Sequence, residues 1–181
     1  STLLHMLDGL ILPDSGSIKA FGRELNEAAF NNENFNRGFR RKVGLLFQNS
    51  DIQLFCPTVK EDIVFGPLNF GFATEKIQEG FARVCDILNI KDLAARSPHQ
   101  LSVGEKRKVA LASILVFSPD VLILDEPTAG LDPRTSRQLL DLLIEYHEAG
   151  KTIITATHDL HIVGDIADTV YVFGQDKNIV K

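Results

Sequence analysis

The sequence predicts an α/β protein in which a mostly parallel sheet is covered by helices on both faces and interrupted by a helical block. Three observations carry that prediction. The runs 42–47 and 121–124 are short, apolar and without polar alternation, as strands buried on both faces are. Segments of helical period alternate with such runs, which a parallel sheet with crossover helices requires. Between the two runs, residues from Asp51 to about Phe117 keep helical rather than strand spacing. With 181 residues, 44% hydrophobic and 24% charged, the chain reads as one domain, 1–181, able to bury its own core. The helical insert is expected at about 51–116.

From the N-terminus, residues 2–12 are long enough for a helix and stop at the turn formers Pro13, Asp14, Ser15 and Gly16. A short strand follows at 17–21. Residues 22–37, rich in Asn and Glu without a clear period, read as an exposed loop. In the insert, Ile77, Phe81, Val84, Cys85 and Leu88 mark one face of an amphipathic helix, and a second helix is expected over 106–116. After the strand at 121–124, a helix over 134–149 is stopped by Gly150. Strands at 152–157 and 169–173 flank a short helix at 160–167.

A net charge of -5 argues against a protein that coats nucleic acid with a basic face. Arg37, Arg40, Arg41 and Lys42 read as a solvated patch. No apolar run approaches the roughly 20 residues that cross a bilayer, and no signal-peptide pattern opens the chain, so a soluble chain made in the cytoplasm is expected. Cys56 and Cys85 lie far apart, with no CxxC or His neighbour, and are expected to be small core residues.

The chemistry gathers at strand ends. Asp125 and Glu126 follow a buried strand directly, where ligands of open α/β sheets bind. Asp125 is placed to hold Mg²⁺ through its water shell, because Mg²⁺ prefers carboxylates, water and substrate phosphate. Glu126 is placed to orient and deprotonate an attacking water. Ser102 is a good N-cap before a helix whose first-turn amides make an anion site. Thr155 to Asp159 again end a strand on a polar group, with His158 suited to a terminal phosphate.

In this order and spacing the segments resemble the ATP-binding cassette ATPases. Phe47, Gln48 and Asn49 resemble the family's Q-loop, Leu101 to Glu105 its signature, Leu124 to Thr128 its Walker B, Leu131, Asp132 and Pro133 its D-loop, and His158 its switch histidine. The resemblance implies a three-layer αβα P-loop NTPase core of RecA-like type with the family's helical subdomain. It implies ATP and Mg²⁺ as ligands, Glu126 and His158 as catalytic residues, and Asp125, Gln48 and Ser1 at the metal. Ser1, Thr2, Gln48, Ser102, Gly104 and Asp132 are the implied nucleotide contacts, Ser102 and Gly104 acting on the nucleotide of a second cassette subunit. Val103 and Glu105 depart from the family's usual Gly and Gln, and the Val103 Cβ is expected to point away from ligand.

The family's phosphate loop reads GxxGxGK before Ser or Thr, whereas this chain opens at Ser1, Thr2, Leu3 and Leu4. The glycines and lysine that would cradle the phosphates are not in the sequence. The expectation is a fragment that begins inside the Walker A loop and is inactive by itself. Val43 to Asn49, with Gln53 to Phe55, Pro57 to Val59, Glu61, Asp62 and Phe65 to Asn69, are similar to one branch, the ATPase subunits of cobalt and nickel importers and of energy-coupling-factor vitamin importers. That likeness implies ATP-driven uptake of cobalt or nickel ions or a vitamin, with the chain peripheral on the cytoplasmic face of the membrane. The implied partners are a second cassette subunit, of like or unlike chain, and a transmembrane subunit gripped by Phe55, Phe65, Phe70 and Phe72, with no nucleic acid. A soluble non-transport cassette ATPase is the rival, as is a non-hydrolysing regulatory cassette if the missing loop is genuine.

Overall fold

The structure, a computed structural model, describes residues 1–176 and 178–180. Helix α1 spans Thr2–Leu7. It stops short of the expected residue 12 because Gly9 turns left-handed at φ +70°, a conformation glycine reaches without a Cβ penalty. Strands β1 (Lys19–Ala20) and β2 (Arg23–Glu24) pair antiparallel as a small ribbon, in place of the longer strand at 17–21. Residues 22–37 are not the expected loop: besides β2 they form α2 (Glu27–Asn31) and the start of α3 (Glu33–Lys42). The asparagines responsible for the loop reading are the caps. Asn26 accepts a hydrogen bond from the Ala29 amide and Asn32 from the Phe35 amide.

Strands β3 (Val43–Leu46), β4 (Val121–Asp125) and β5 (Thr152–Ala156) form the parallel sheet in the order β3-β4-β5. Leu46 lies opposite Leu124, and Asp125 opposite Ala156. Strand pleating sends neighbouring side chains to opposite faces. Leu46, Leu122 and Leu124 enter one apolar cluster, whereas Leu45 and Ile123 enter another with Leu4 of α1 and Phe39 of α3. A strand at 169–173 does not form; among the described residues only Phe173 bridges to Ile179, and Val170 to Phe173 are exposed. High strand propensity orders nothing where no neighbouring strand takes up the ladder hydrogen bonds.

Between β3 and β4 run a 3₁₀ turn (Ser50–Ile52), α4 (Val59–Asn69), α5 (Thr74–Leu88) and α6 (Val103–Leu115). Helix α6 begins earlier than the expected residue 106 because Ser102 caps it and Glu105 bonds back to the Ser102 amide. Gly44 of β3 lets α6 approach, since a Cβ there would lie 2.1 Å from Ile114 Cγ2. Helices α7 (Pro133–Glu148) and α8 (Leu160–Ile166) flank β5 in sequence, with Leu139 and Leu143 of α7 in the Leu122 cluster. No helix of the described residues is long and apolar enough to cross a membrane.

Two sequence expectations are corrected by packing. Cys85 is buried, but Cys56 is only partly so, on the loop before α4. Arg40 is not part of a solvated patch: its guanidinium bonds the buried Asp8 carboxylate and the Asp8 carbonyl, both at 2.7 Å. Its neighbours lie over aromatic faces, Arg37 on Phe70, Arg41 on Phe72 and Lys42 on Phe21, where a ring quadrupole attracts a cation.

Candidate functional site

The carboxyl ends of the three parallel strands bring the ionisable residues together. Asp125 is the last residue of β4 and is 5% exposed. The Ser1 hydroxyl, at the N-cap of α1, donates to its Oδ2 at 2.5 Å, which joins two residues that sequence separates by 124 positions. Thr2 follows in the first turn of α1 and is exposed. Ser1 and Asp125 therefore offer adjoining hard oxygen donors. Among the described residues no three His, Cys, Asp or Glu side chains gather as a cage. Such a sparse oxygen pair suits Mg²⁺, which keeps water and substrate phosphate oxygens in its shell.

Glu126 turns away from the sheet with φ +48°, an uncommon left-handed conformation for a residue with a Cβ. Its amide donates to Ala156 O at 2.9 Å and its carbonyl accepts from Ala129 N at 3.1 Å. The carboxylate is thereby presented to the residues after β5. It accepts from the Thr157 hydroxyl at 3.3 Å and from the His158 amide at 3.1 Å, and its Oε1 lies 2.7 Å from His158 Nδ1. That hydrogen bond, followed by the carboxylate charge, pushes the His158 imidazole above its ordinary pKa of 6.5. Gln48 is exposed and follows the end of β3, two residues beyond the Leu46–Leu124 pairing.

Ser102 and Gly104 sit at the head of α6 and, among the described residues, share no hydrogen bond with this cluster. The Ser102 hydroxyl donates to Glu105 Oε2 at 2.7 Å and accepts from the Glu105 amide. Hydrogen bonds from the Ser102 amide and hydroxyl hold the Glu105 carboxyl below its usual range. Val103 is 65% exposed. A Cβ at Gly104 would meet Leu131 and Thr135 only at ordinary contact distance, so the glycine is not demanded by packing within the chain. Asp132 caps α7, accepting from the Arg134 and Thr135 amides and from the Thr135 hydroxyl at 2.6 Å, and those bonds lower its pKa.

Sequence reasoning missed Arg107. It is 4% exposed, with Nη1 donating to Phe47 O at 2.7 Å and Nη2 to Glu126 O at 2.9 Å. The available signal was a cation on the apolar stripe of α6, four and seven residues before Leu111 and Ile114. Gln53 was noted only for the branch likeness; its side-chain amide accepts from Phe47 N and donates to Ala110 O, while Lys106 pairs with Asp51 at 2.6 Å. Helix α6 is thus tied at three points to the segment around Gln48.

The four implied aromatic contacts divide. Phe55 and Phe65 are exposed and stack edge to face at 4.9 Å, whereas Phe70 and Phe72 are half-buried against Phe117.

The family profile described as ABC transporter matches residues 1–129. The nickel import ATP-binding protein NikO of Rhodobacter capsulatus is 47% identical, over 98% of this chain and 71% of its own length. The energy-coupling factor transporter ATP-binding protein EcfA2 of Methanospirillum hungatei is 41% identical, over 94% of this chain and 42% of its own. Among solved structures, cbiO1 from Clostridium perfringens, part of the ABC transporter complex cbiONQ, superposes with a TM-score of 0.83 at 35% identity, covering 99% of this chain and 70% of its own. The chain spans only part of each. By profile, identity and superposition alike, this chain belongs to the ABC transporter family, among its ATP-binding ATPase subunits.

Proposed function

We propose that the chain forms the hydrolytic site of an importer's ATP-binding subunit, with Glu126 as the base that activates water. The observation that carries this reading is the Glu126 carboxylate, aimed by its left-handed backbone at His158 beside the Ser1–Asp125 pair. Ser1, Asp125 and Gln48 are the residues to hold Mg²⁺, which when bound neutralises charge on the phosphates. Thr2 lines the nucleotide next to Ser1. Glu126 accepts the proton of a water whose oxygen attacks the γ-phosphorus as the bond to the bridging oxygen breaks, leaving ADP and phosphate. His158, held by Glu126, contacts the γ-phosphate.

Ser102 and Gly104, apart from this cluster but at a helix N-terminus, serve the nucleotide of a second cassette subunit, with Asp132 at the seam. The exposed Phe55–Phe65 pair supports docking to a transmembrane subunit, which holds the chain at the cytoplasmic membrane face. Uptake of nickel ions is supported by the name of the nickel import relative, while cobalt ions or a vitamin rest on the sequence resemblance. The test is Mg²⁺-dependent ATP hydrolysis by the chain carrying a GxxGxGK loop ahead of Ser1. Hydrolysis that survives Glu126→Gln would contradict the assignment.

A further inference from the structure

We infer that Arg107 is a positioning residue for hydrolysis: through two backbone carbonyls it sets the Glu126 carboxylate and Gln48 in register with each other. The inference rests on the reading of Glu126 as the base. Arg107 is the single cation of α6 that is fully withdrawn from water, and among the described residues it forms no ion pair. A buried guanidinium is costly unless its donors are used. Leu111 and Ile114 fill the same stripe of the helix with apolar side chains, so packing alone gives no reason for an arginine there.

Its two partners are informative. Phe47 O belongs to the peptide that leads into Gln48, and Glu126 O to the peptide that leaves the left-handed residue. Both carbonyls lie just past the last residues of paired strands, where the ladder no longer fixes the chain. A non-glycine residue in the left-handed region persists only where its surroundings hold it. Glu126 is held at its amide by Ala156, at its carbonyl by Ala129 and Arg107, and at its carboxylate by Thr157 and His158. Of these, the Arg107 bond alone comes from the helix that Ser102 caps, five residues earlier. Arg107 therefore also links the head of α6 mechanically to the base.

The experiment compares Arg107→Gln and Arg107→Lys with the parent, in the chain carrying the phosphate loop. Steady-state kcat and KM, ATP affinity and thermal midpoint are measured for each. Displacement of a reacting group by about 1 Å costs about 10²-fold in rate. Arg107→Gln is expected to lower kcat by about that factor, with KM, ATP affinity and thermal midpoint close to the parent's. Arg107→Lys, which keeps the charge and one of the two bonds, recovers part of the loss. Because Arg107 acts through Glu126, Arg107→Gln added to Glu126→Gln should lower the residual rate no further.

An unchanged kcat in folded Arg107→Gln overturns the inference, as does a multiplicative loss in the double variant. If Arg107→Gln does not fold, the same cycle is run with Arg107→Lys and read by the same criteria. Loss of hydrolysis at Glu126 with none at Arg107 overturns this inference alone. Hydrolysis that survives Glu126→Gln overturns the base assignment and this inference with it.

Discussion

His158 Nδ1 and Glu126 Oε1 meet at 2.7 Å, although 32 residues and a helix separate them in sequence. The contact exists because parallel β4 and β5 end side by side, with Asp125 opposite Ala156. It makes the imidazole more basic, and that basicity is measurable. In metal-free, nucleotide-free protein, a histidine with a raised pKa contributes stability that is fully present below its ordinary value of 6.5. The contribution is lost as pH rises through the raised value. Glu126→Gln removes the charge and should move the His158 titration downward, as followed by NMR of the ring protons. An unmoved titration would mean that the pair does not persist in solution.

The neighbouring acids should separate by phenotype. Glu126→Gln keeps the shape of the site and should lower hydrolysis by about 10²–10⁴-fold while ATP still binds. Asp125→Asn weakens the anion that Ser1 bonds, so the Mg²⁺ concentration needed for half-maximal ATP binding should rise. Titrating Mg²⁺ against nucleotide fluorescence decides between them; equal Mg²⁺ dependence in both variants would refute the division of roles.

Two glycines, Gly44 facing α6 from β3 and Gly104 in the first turn of α6, should respond differently to alanine. At Gly44 the new methyl collides with Ile114, and overpacking of this kind costs about 1–3 kcal/mol in urea unfolding. At Gly104 the methyl finds ordinary contacts, so stability should stay within about 1 kcal/mol of the parent. If Gly104 serves the nucleotide of a second subunit, Gly104→Ala should nonetheless reduce the ATP-dependent dimer seen by light scattering. Native dimerisation would remove Gly104 from the shared site.

Burial pushes the Asp8 carboxyl up to about 6, against the opposing pull of the Arg40 guanidinium. A folded-state pKa above the unfolded one means that stability from this group falls as pH rises from about 4 to about 6. Arg40→Met leaves the acid buried without its cation. The loss should be about 2–3 kcal/mol at pH 8, the low end for a broken buried pair because Arg40 is partly exposed. At pH 5 Asp8 is protonated and the loss should be smaller. Equal losses at the two pH values would show that the arginine acts through packing alone.

Much of the fold was legible in the chain because buried strands have a local signature. The runs that became β3 and β4 are apolar without alternation, and Asp125 at the end of β4 is followed at once by Glu126. Asp125, Glu126 and His158 could be singled out because they lie at or within two residues of a strand end, whereas Gln48 was marked by the family resemblance alone. What tertiary structure alone decided are the properties that depend on distant partners. The stretch at 22–37 became helical because Asn26 and Asn32 found amides to cap and Phe39 found a core to enter. The stretch at 169–173, with better strand propensity, formed no ladder beyond the single Phe173–Ile179 bridge among the described residues. Arg40 turned inward because Asp8 lay buried within reach, and Arg107 acquired its two carbonyls only when β3, β4 and α6 came together. Periodicity reports which face of a segment avoids water; it carries no record of which polar group will need a partner once that face is covered.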